Sequence, residues 1–247
     1  MLDLEFLGIG SAFCPRLGNT SAVFWKGDSL YLLDCGSTVF SALDRCGALP
    51  RADRITALIT HTHADHTGSL GTLISYCKHV HPVPVTIVHP EQEIGRLLRL
   101  NGITPEQYRL RTADQFEDEN ITVRFFPVPH TKSLNAWGIL ISDREETVYY
   151  SGDAGDIPGV VWSAFTDGKI DRVYQDVSLT GIRGGSHGEY AWFARHCPQA
   201  FRSRFYPIHL DEACLARSIE DGFAQAMQAK QLHTAAVTND LPLFKIP

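Results

Sequence analysis

Short apolar or alternating runs, bounded by glycine, proline and aspartate, recur along both halves of this chain. Such runs are typical of strands. They predict strands near residues 2–9, 21–26, 29–34, 55–60, 85–89, 121–128, 136–142, 147–152, 172–177 and 204–208. Helical spacing predicts helices near 38–46, 66–78, 90–100, 187–196 and 211–230, the last with a buried stripe of Ile219, Phe223, Ala226 and Met227. Two similar halves indicate an α/β (α+β) protein in which two sheets pack together between helices.

Length, charge and cysteine usage narrow the class of protein. The 247 residues suffice for a large core, and no linker or repeat divides them, so we predict one domain over residues 1–247. Six cysteines without a CxxC pair indicate reduced thiols in a cytoplasmic protein, and no leader or membrane span is evident. The net charge of −6 argues against extended nucleic-acid binding. The negative net charge is compatible with a small anionic substrate, because bound cations can dominate the electric field in the site.

The densest chemistry lies directly after the strand predicted near 55–60, in the run His61-Thr62-His63-Ala64-Asp65-His66. Neutral imidazole and carboxylate groups are ligands of zinc and similar divalent ions. His61 and His63 are two residues apart, so they face the same side of an extended segment. Asp65 and His66 then open the next helix. The run therefore predicts two metals held side by side.

Three further candidate ligands each follow a later predicted strand: His130, Asp153 and His209. With the turn Asp34-Cys35-Gly36, this order of motifs resembles the metallo-β-lactamase fold superfamily. The resemblance implies a four-layer αββα sandwich with a dimetal site at one edge, between the sheets. It also implies two divalent ions, Zn²⁺ in the first place and Mn²⁺ as the alternative.

The superfamily's pattern also implies how the ligands are shared between the two metals. The first metal would be held by His61, His63 and His130, the second by Asp65, His66 and His209, with Asp153 bridging both. Two such metals lower the pKa of a shared water toward neutrality. The sequence leaves two roles open for Asp34. Its carboxylate would either orient a ligand histidine or act as the N-cap of the helix near 38–46.

A second pair of residues bears on the reaction. Asp176 ends the strand near 172–177, and His187 begins the helix near 187–196. The pair is similar to the acidic residue and HST-type helix start of ribonuclease Z-like phosphodiesterases, although those have Glu for Asp and Ser-Thr after the histidine. There a carboxylate orients a histidine that protonates the leaving oxygen, which is effective near pH 7. The alternative is a helix start capped by Ser186 with an incidental histidine.

The spacing between two of the motifs bears on the substrate. Ribonuclease Z proteins insert a long arm between the positions of His130 and Asp153, where this chain has only residues 131–152. Without the arm, the chain resembles the phage anti-Pycsar nucleases and their bacterial relatives, which are dimers and cleave cyclic mononucleotides. The resemblance implies hydrolysis of 3′,5′-cyclic nucleotides such as cCMP, cUMP, cAMP and cGMP in the (host) cytoplasm, with Asp65, His187 and Asp176 as catalytic residues. An RNA 3′-end endonuclease and a lactonase or ester hydrolase remain alternatives.

The residues that recognise the substrate are less well defined by the sequence. The candidates to stack on a base are Phe13, Tyr108 and Trp137, and those to contact phosphate are Arg16 and Arg183; we expect most of them to be core or surface residues. The polar segment Asn101–Asp114 is expected to lie outside the sheets and to reach a neighbouring subunit. The loop 180–185 is expected to be mobile and close to the metals.

Overall fold

The computed structural model describes residues 2–112, 114–118 and 121–226, which form two six-stranded sheets. The first sheet contains, in chain order, β1 (Glu5–Gly8), β2 (Ser21–Lys26), β3 (Ser29–Leu33), β4 (Arg54–Leu58), β5 (Val85–Val88) and β6 (Arg109–Arg111). The second contains β7 (Gln115–Asp118), β8 (Ile121–Val128), β9 (Ala136–Ser142), β10 (Thr147–Tyr150), β11 (Arg172–Asp176) and β12 (Phe205–Ile208). Each sheet is antiparallel in its first strands and parallel from β3 and from β10 onward.

Seven α-helices join these strands in the described part of the chain. They are α1 (Val39–Arg45), α2 (Ala64–Thr67), α3 (Leu70–His79), α4 (Glu93–Leu100), α5 (Gly159–Thr166), α6 (Tyr190–His196) and α7 (Glu212–Glu220). Short 3-10 turns occupy Leu49–Arg51, Pro105–Gln107 and Gln199–Arg204. None of these helices is long and apolar enough to cross a membrane.

Alternation along the strands explains why the layers stack as they do. On β2, Phe24 faces the second sheet while its neighbour Val23 belongs to the core beneath the helices α1, α3 and α4. Phe6 of β1 meets Tyr174 of β11 across the two sheets, with ring centroids 5.1 Å apart. On the far face of the second sheet, Phe205 packs against rings of α5 and α6. The αββα order of layers is therefore as predicted.

The elements that sequence reasoning missed lack the usual apolar signature. The strands β6 and β7 are polar edge strands whose side chains are largely solvent-exposed. The expectation that Asn101–Asp114 lies outside the sheets is wrong, because Arg109–Arg111 pairs with β5. Helix α5 begins after Pro158 and buries Val161 and Phe165, which are four residues apart. The β-branched pair at its start is more typical of a strand, so the helical spacing is hard to recognise in the sequence. The predicted domain boundary at residues 1–247 stays a prediction.

Three predicted helices need correction. The helix near 66–78 is two helices, α2 and α3, and the helix near 187–196 begins only at Tyr190, which leaves His187 in a loop. The last helix ends at Glu220 because Gly222 takes a positive φ of 73°. Its predicted stripe is wrong for Ile219, which is 56% exposed, whereas Phe223 is buried by the turn and Met227 lies outside the described residues.

The early end of α7 can be tested with two substitutions. Phe223→Ala removes a ring that is 5% exposed and packs against Phe205 and Tyr190. We expect it to lower the free energy of unfolding by about 3–5 kcal/mol, measured in urea. Ile219→Ala changes an exposed side chain and should stay within about 0.5 kcal/mol. Equal losses would mean that one buried stripe continues through both positions.

Candidate metal centre

The carboxyl ends of several strands meet at one edge of the sandwich and carry the predicted site residues there. His61 follows β4, His130 follows β8 and Asp153 follows β10. Parallel pairing of β11 with β12 sets Asp176 opposite Ile208, and His209 comes next along the chain. The short helix α2 supplies Asp65 and His66. The structure therefore brings all of the predicted ligand residues together.

Four of these residues form a first group of possible ligands: His61, His63, His130 and Asp153. Nε2 of His61 and Nε2 of His130 lie 3.0 and 3.1 Å from Nδ1 of His63. The same two nitrogens lie 3.9 and 3.8 Å from Oδ2 of Asp153. Donors on a tetrahedral zinc ion with bonds of about 2.0–2.1 Å would be about 3.3 Å apart, so this spacing suits one ion.

A second group shares Asp153 with the first and adds Asp65, His66 and His209. Oδ1 of Asp153 lies 2.9 Å from Nε2 of His66 and 3.3 Å from Nε2 of His209. Oδ2 of Asp65 lies 3.4 Å from both of these nitrogens. Asp153 therefore presents one oxygen to each group, which is the arrangement expected of a bridging carboxylate.

Asp34 orients the second group from behind. Its carboxylate is fully buried and accepts hydrogen bonds from Nδ1 of His66 (2.8 Å), from the backbone N–H of Thr60 (2.8 Å) and from Oη of Tyr150 (3.1 Å). The N-cap of α1 is Thr38, not Asp34. Of the two interpretations of Asp34, the structure thus supports the one in which it fixes a ligand histidine.

Two other ligand histidines are held through contacts that the sequence analysis did not predict. Nδ1 of His61 lies 3.1 Å from Oγ1 of Thr60, and Nδ1 of His130 donates to the backbone carbonyl of Ser186 at 2.7 Å. Ser186 does not cap α6, because the N-cap of this helix is Glu189. Only the position of Thr60 next to His61 gave any signal, since the other contacts depend on the tertiary fold.

The buried polar atoms of this site fit divalent cations. Nε2 of His66 and Oδ1 of Asp153 are fully buried and, although 2.9 Å apart, form no hydrogen bond, so both atoms are available as metal ligands. Burial works against the ionised form of Asp153, but the neighbouring His209 and His66 outweigh it and hold its pKa well below the usual range. Burial also disfavours the charged form of His66, yet Asp153 and Asp34 raise its pKa well above the usual value. The site thus favours positive charge, which bound cations would supply.

Asp176 and His187 form a third group with His209 beside the metal ligands. Nδ1 of His187 donates to Oδ2 of Asp176 at 2.8 Å, and Oδ1 of Asp176 lies 3.5 Å from Nδ1 of His209. The rings of His187 and His209 stack, with centroids 4.9 Å apart. Burial lowers the pKa of His187, but the hydrogen bond to Asp176 and the negative charges of Asp176 and Asp153 together outweigh burial and raise it.

Six residues of these groups lie at the floor of a cleft of about 800 Å³: His63, Asp65, His130, Asp153, His187 and His209. Ala12, Phe13 and Pro15 lie along its wall, and Phe13 is the one stacking candidate that lines it. Tyr108 and Trp137 instead pack against the cores, and Trp137 meets His89 edge to face. The phosphate candidates are paired elsewhere, Arg16 with Glu212 and Arg183 with Asp156. The guanidinium of Arg183 also lies over the ring of Trp192 and so anchors the loop 180–185. The mobility of this loop stays a prediction.

Comparison with known proteins gives one family for nearly the whole chain. The family model described as "Anti-Pycsar protein Apyc1" matches residues 2–233. The Anti-Pycsar protein Apyc1 of Bacillus phage 010DV004 is 28% identical, in an alignment that covers 91% of this chain and 93% of the relative. The protein of the same name from Bacillus phage vB_BsuM-Goe3 is 30% identical, in an alignment that covers 85% of this chain and 90% of the phage protein.

Solved structures agree on the fold. The metallo-β-lactamase fold protein YhfI from Bacillus subtilis superposes with a TM-score of 0.70 at 17% identity, covering 92% of this chain and 96% of its own. The short form of human tRNase Z (ELAC1) superposes with a TM-score of 0.63 at 20% identity, and the match covers 85% of this chain and 93% of the tRNase Z chain. The predicted metallo-β-lactamase fold is therefore confirmed. With the ligand groups, these findings support the expected metal-dependent hydrolase.

The role of Asp34 can be tested through metal affinity. Asp34→Asn keeps a residue type that tolerates the positive φ of 59° but places an amide where Nδ1 of His66 needs an acceptor. We expect the affinity for Zn²⁺ to fall about 10–100-fold, measured by competition with a chelator. Asp143→Asn is the matched control, because this carboxylate is also buried and hydrogen-bonded but lies in the β9–β10 turn. Unchanged affinity in a folded Asp34→Asn protein would leave Asp34 a purely structural role.

Proposed function

This chain belongs to the Anti-Pycsar protein Apyc1 family, and we propose that it is a metal-dependent phosphodiesterase that hydrolyses 3′,5′-cyclic nucleotides to linear nucleoside monophosphates. The observation that carries the proposal is the Asp176–His187 pair next to the two ligand groups. An alkoxide is a poor leaving group, so cleavage of a ribose phosphodiester benefits from a placed proton donor.

The proposal gives each site residue a role. His61, His63 and His130 would hold one ion, Asp65, His66 and His209 the other, and Asp153 both. Two such ions, when bound, supply an activated water and neutralise charge on the phosphate. Nδ1 of His187 is occupied by Asp176, so Nε2 is the atom that would pass a proton to the departing ribose oxygen. Asp176 would orient the ring through Nδ1–H and stabilise the imidazolium form, which carries the proton on Nε2.

The turn between β9 and β10 favours a small substrate. This turn takes the place of a tRNA-gripping arm and is closed by Asp143, which accepts hydrogen bonds from the backbone N–H groups of Glu145 and Glu146. Binding of a long RNA draws its affinity from many phosphate contacts, which a chain of net charge −6 offers poorly. A cyclic mononucleotide needs one phosphate site and one base site.

Three finer points of the proposal rest on the family and on the type of ligand. We propose Zn²⁺ as the metal, with Mn²⁺ as the alternative that His/Asp sites accept. We propose a homodimer as the assembly and the cytoplasm, where cyclic nucleotides signal, as the place of action. Each can be measured directly, by metal analysis of purified protein, by light scattering and by fractionation.

Product analysis tests the substrate class. Protein loaded with Zn²⁺ or Mn²⁺ is incubated with cCMP, cUMP, cAMP and cGMP, and the products are separated by chromatography. We expect linear monophosphates from the wild-type protein and none from Asp65→Ala or His66→Ala, because each variant removes a ligand of the second ion. No turnover with both metals bound would exclude this substrate class and direct attention to RNA 3′ ends and then to lactones.

The role of His187 is tested by changing the leaving group. His187→Ala should lower kcat for a cyclic nucleotide by about 10²–10⁴-fold, because the ribose oxygen leaves without a proton. A nitrophenyl phosphodiester, whose leaving group needs no proton, should be hydrolysed at nearly the wild-type rate. His196→Ala is the control, since His196 is exposed and bonds only to the carbonyl of Trp192 within its own helix. Equal losses on both substrates would argue that His187 supports the site but donates no proton.

A further inference from the structure

Phe13 is the most exposed large apolar side chain in the part of the chain that the structure describes. It is 96% exposed, and it lies on the loop between β1 and β2, at the wall of the cleft whose floor carries the two ligand groups. Burying an aromatic ring of this size is strongly favourable. A ring left in water beside a catalytic cleft therefore indicates a surface that is covered when a ligand binds.

The backbone around Phe13 is fixed, so the ring has a defined place. Within the loop, the N–H of Gly10 donates to the carbonyl of Gly18 at 2.8 Å and that of Cys14 to Ser11 at 3.1 Å. The N–H of Ser11 donates to the carbonyl of Leu210 at 2.9 Å, and Leu210 directly follows the ligand His209. The loop is thus anchored to the metal centre itself. Such anchoring lowers the entropy cost of presenting the ring to a ligand.

The polar side chains around the same cleft are largely paired with one another. Oδ1 of Asn19 accepts from the N–H of Thr38, and Oγ1 of Thr38 accepts from the N–H of Asn19. The hydroxyl of Thr131 bonds to that of Ser133, and the hydroxyl of Ser178 bonds to that of Thr180. A base in this cleft is therefore better held by its face than by hydrogen bonds to its edge.

We propose that Phe13 binds the nucleobase of the substrate by stacking on its face, an inference that rests on the proposed function. The cleft of about 800 Å³ has room for the base beyond the phosphate at the ligand groups. Every nucleobase has a π face, so stacking on Phe13 supplies affinity for all four bases without selecting one by its hydrogen-bonding edge. Purines, with the larger ring system, gain more than pyrimidines.

The test compares substrates with and without a base. Phe13→Ala should raise KM for cAMP by about 5–100-fold, the equivalent of one lost stacking contact, and leave kcat within about twofold. The increase should be smaller for cCMP, and Phe13→Trp should restore the wild-type KM. A 1-O-methyl-ribose 3′,5′-cyclic phosphate, which lacks a base, should be hydrolysed equally by wild type and Phe13→Ala. Val160→Ala, an exposed apolar change on α5, serves as control.

Binding and assembly provide independent readouts. A cyclic nucleotide of 2-aminopurine should lose fluorescence on binding to the wild-type protein and should lose less on binding to Phe13→Ala. If Phe13→Ala slows hydrolysis of both kinds of substrate and changes the mass by light scattering, Phe13 serves assembly and the inference is overturned. An unchanged KM for cAMP overturns it as well. If the wild-type protein hydrolyses none of the cyclic nucleotides, the proposed function has failed, an outcome distinct from either of these.

Discussion

The buried carboxylate of Asp34 joins the parts of the protein that must meet for a metal site to exist. It accepts hydrogen bonds from Thr60 after β4, from His66 on α2 and from Tyr150 at the end of β10, so it ties both sheets to one helix. A fully buried carboxylate is tolerable only when it is fully hydrogen-bonded and compensated by positive charge. Its positive φ of 59° turns the chain sharply at the end of β3 and places the carboxylate there.

The sequence predicts the ligand residues because two regularities coincide at them. Metal-binding side chains lie at the ends of apolar strands, and the run from His61 to His66 marks one such end without ambiguity. The sandwich then brings the other strand ends to the same edge. Contacts such as that of Tyr150 with Asp34 or of Ser186 with His130 are fixed only by how the sheets and loops pack. No local pattern records them, so sequence reasoning missed them.

The limits of the fold prediction have a related cause. Periodicity reveals an element only when it buries a face, and it located β2, β8 and β9 at their observed bounds. The edge strand β6 is held by backbone pairing with β5 and has exposed arginines, so its sequence looks like a loop. The end of α7 depends on the backbone of Gly222, which apolar spacing alone does not report. Polar edges and helix ends are thus the places where the three-dimensional structure adds most.

In the proposed mechanism, the single side chain of Asp176 would link metal binding to proton donation. Its Oδ2 accepts from Nδ1 of His187 and from the N–H of Ala154, while its Oδ1 lies beside Nδ1 of the ligand His209. The parallel register of β11 with β12 dictates this closeness, since Asp176 pairs with Ile208 and His209 follows. A carboxylate one methylene shorter than glutamate reaches both rings because the strand end already lies between them. One residue at the end of a strand of the second sheet thus positions both His187 and His209.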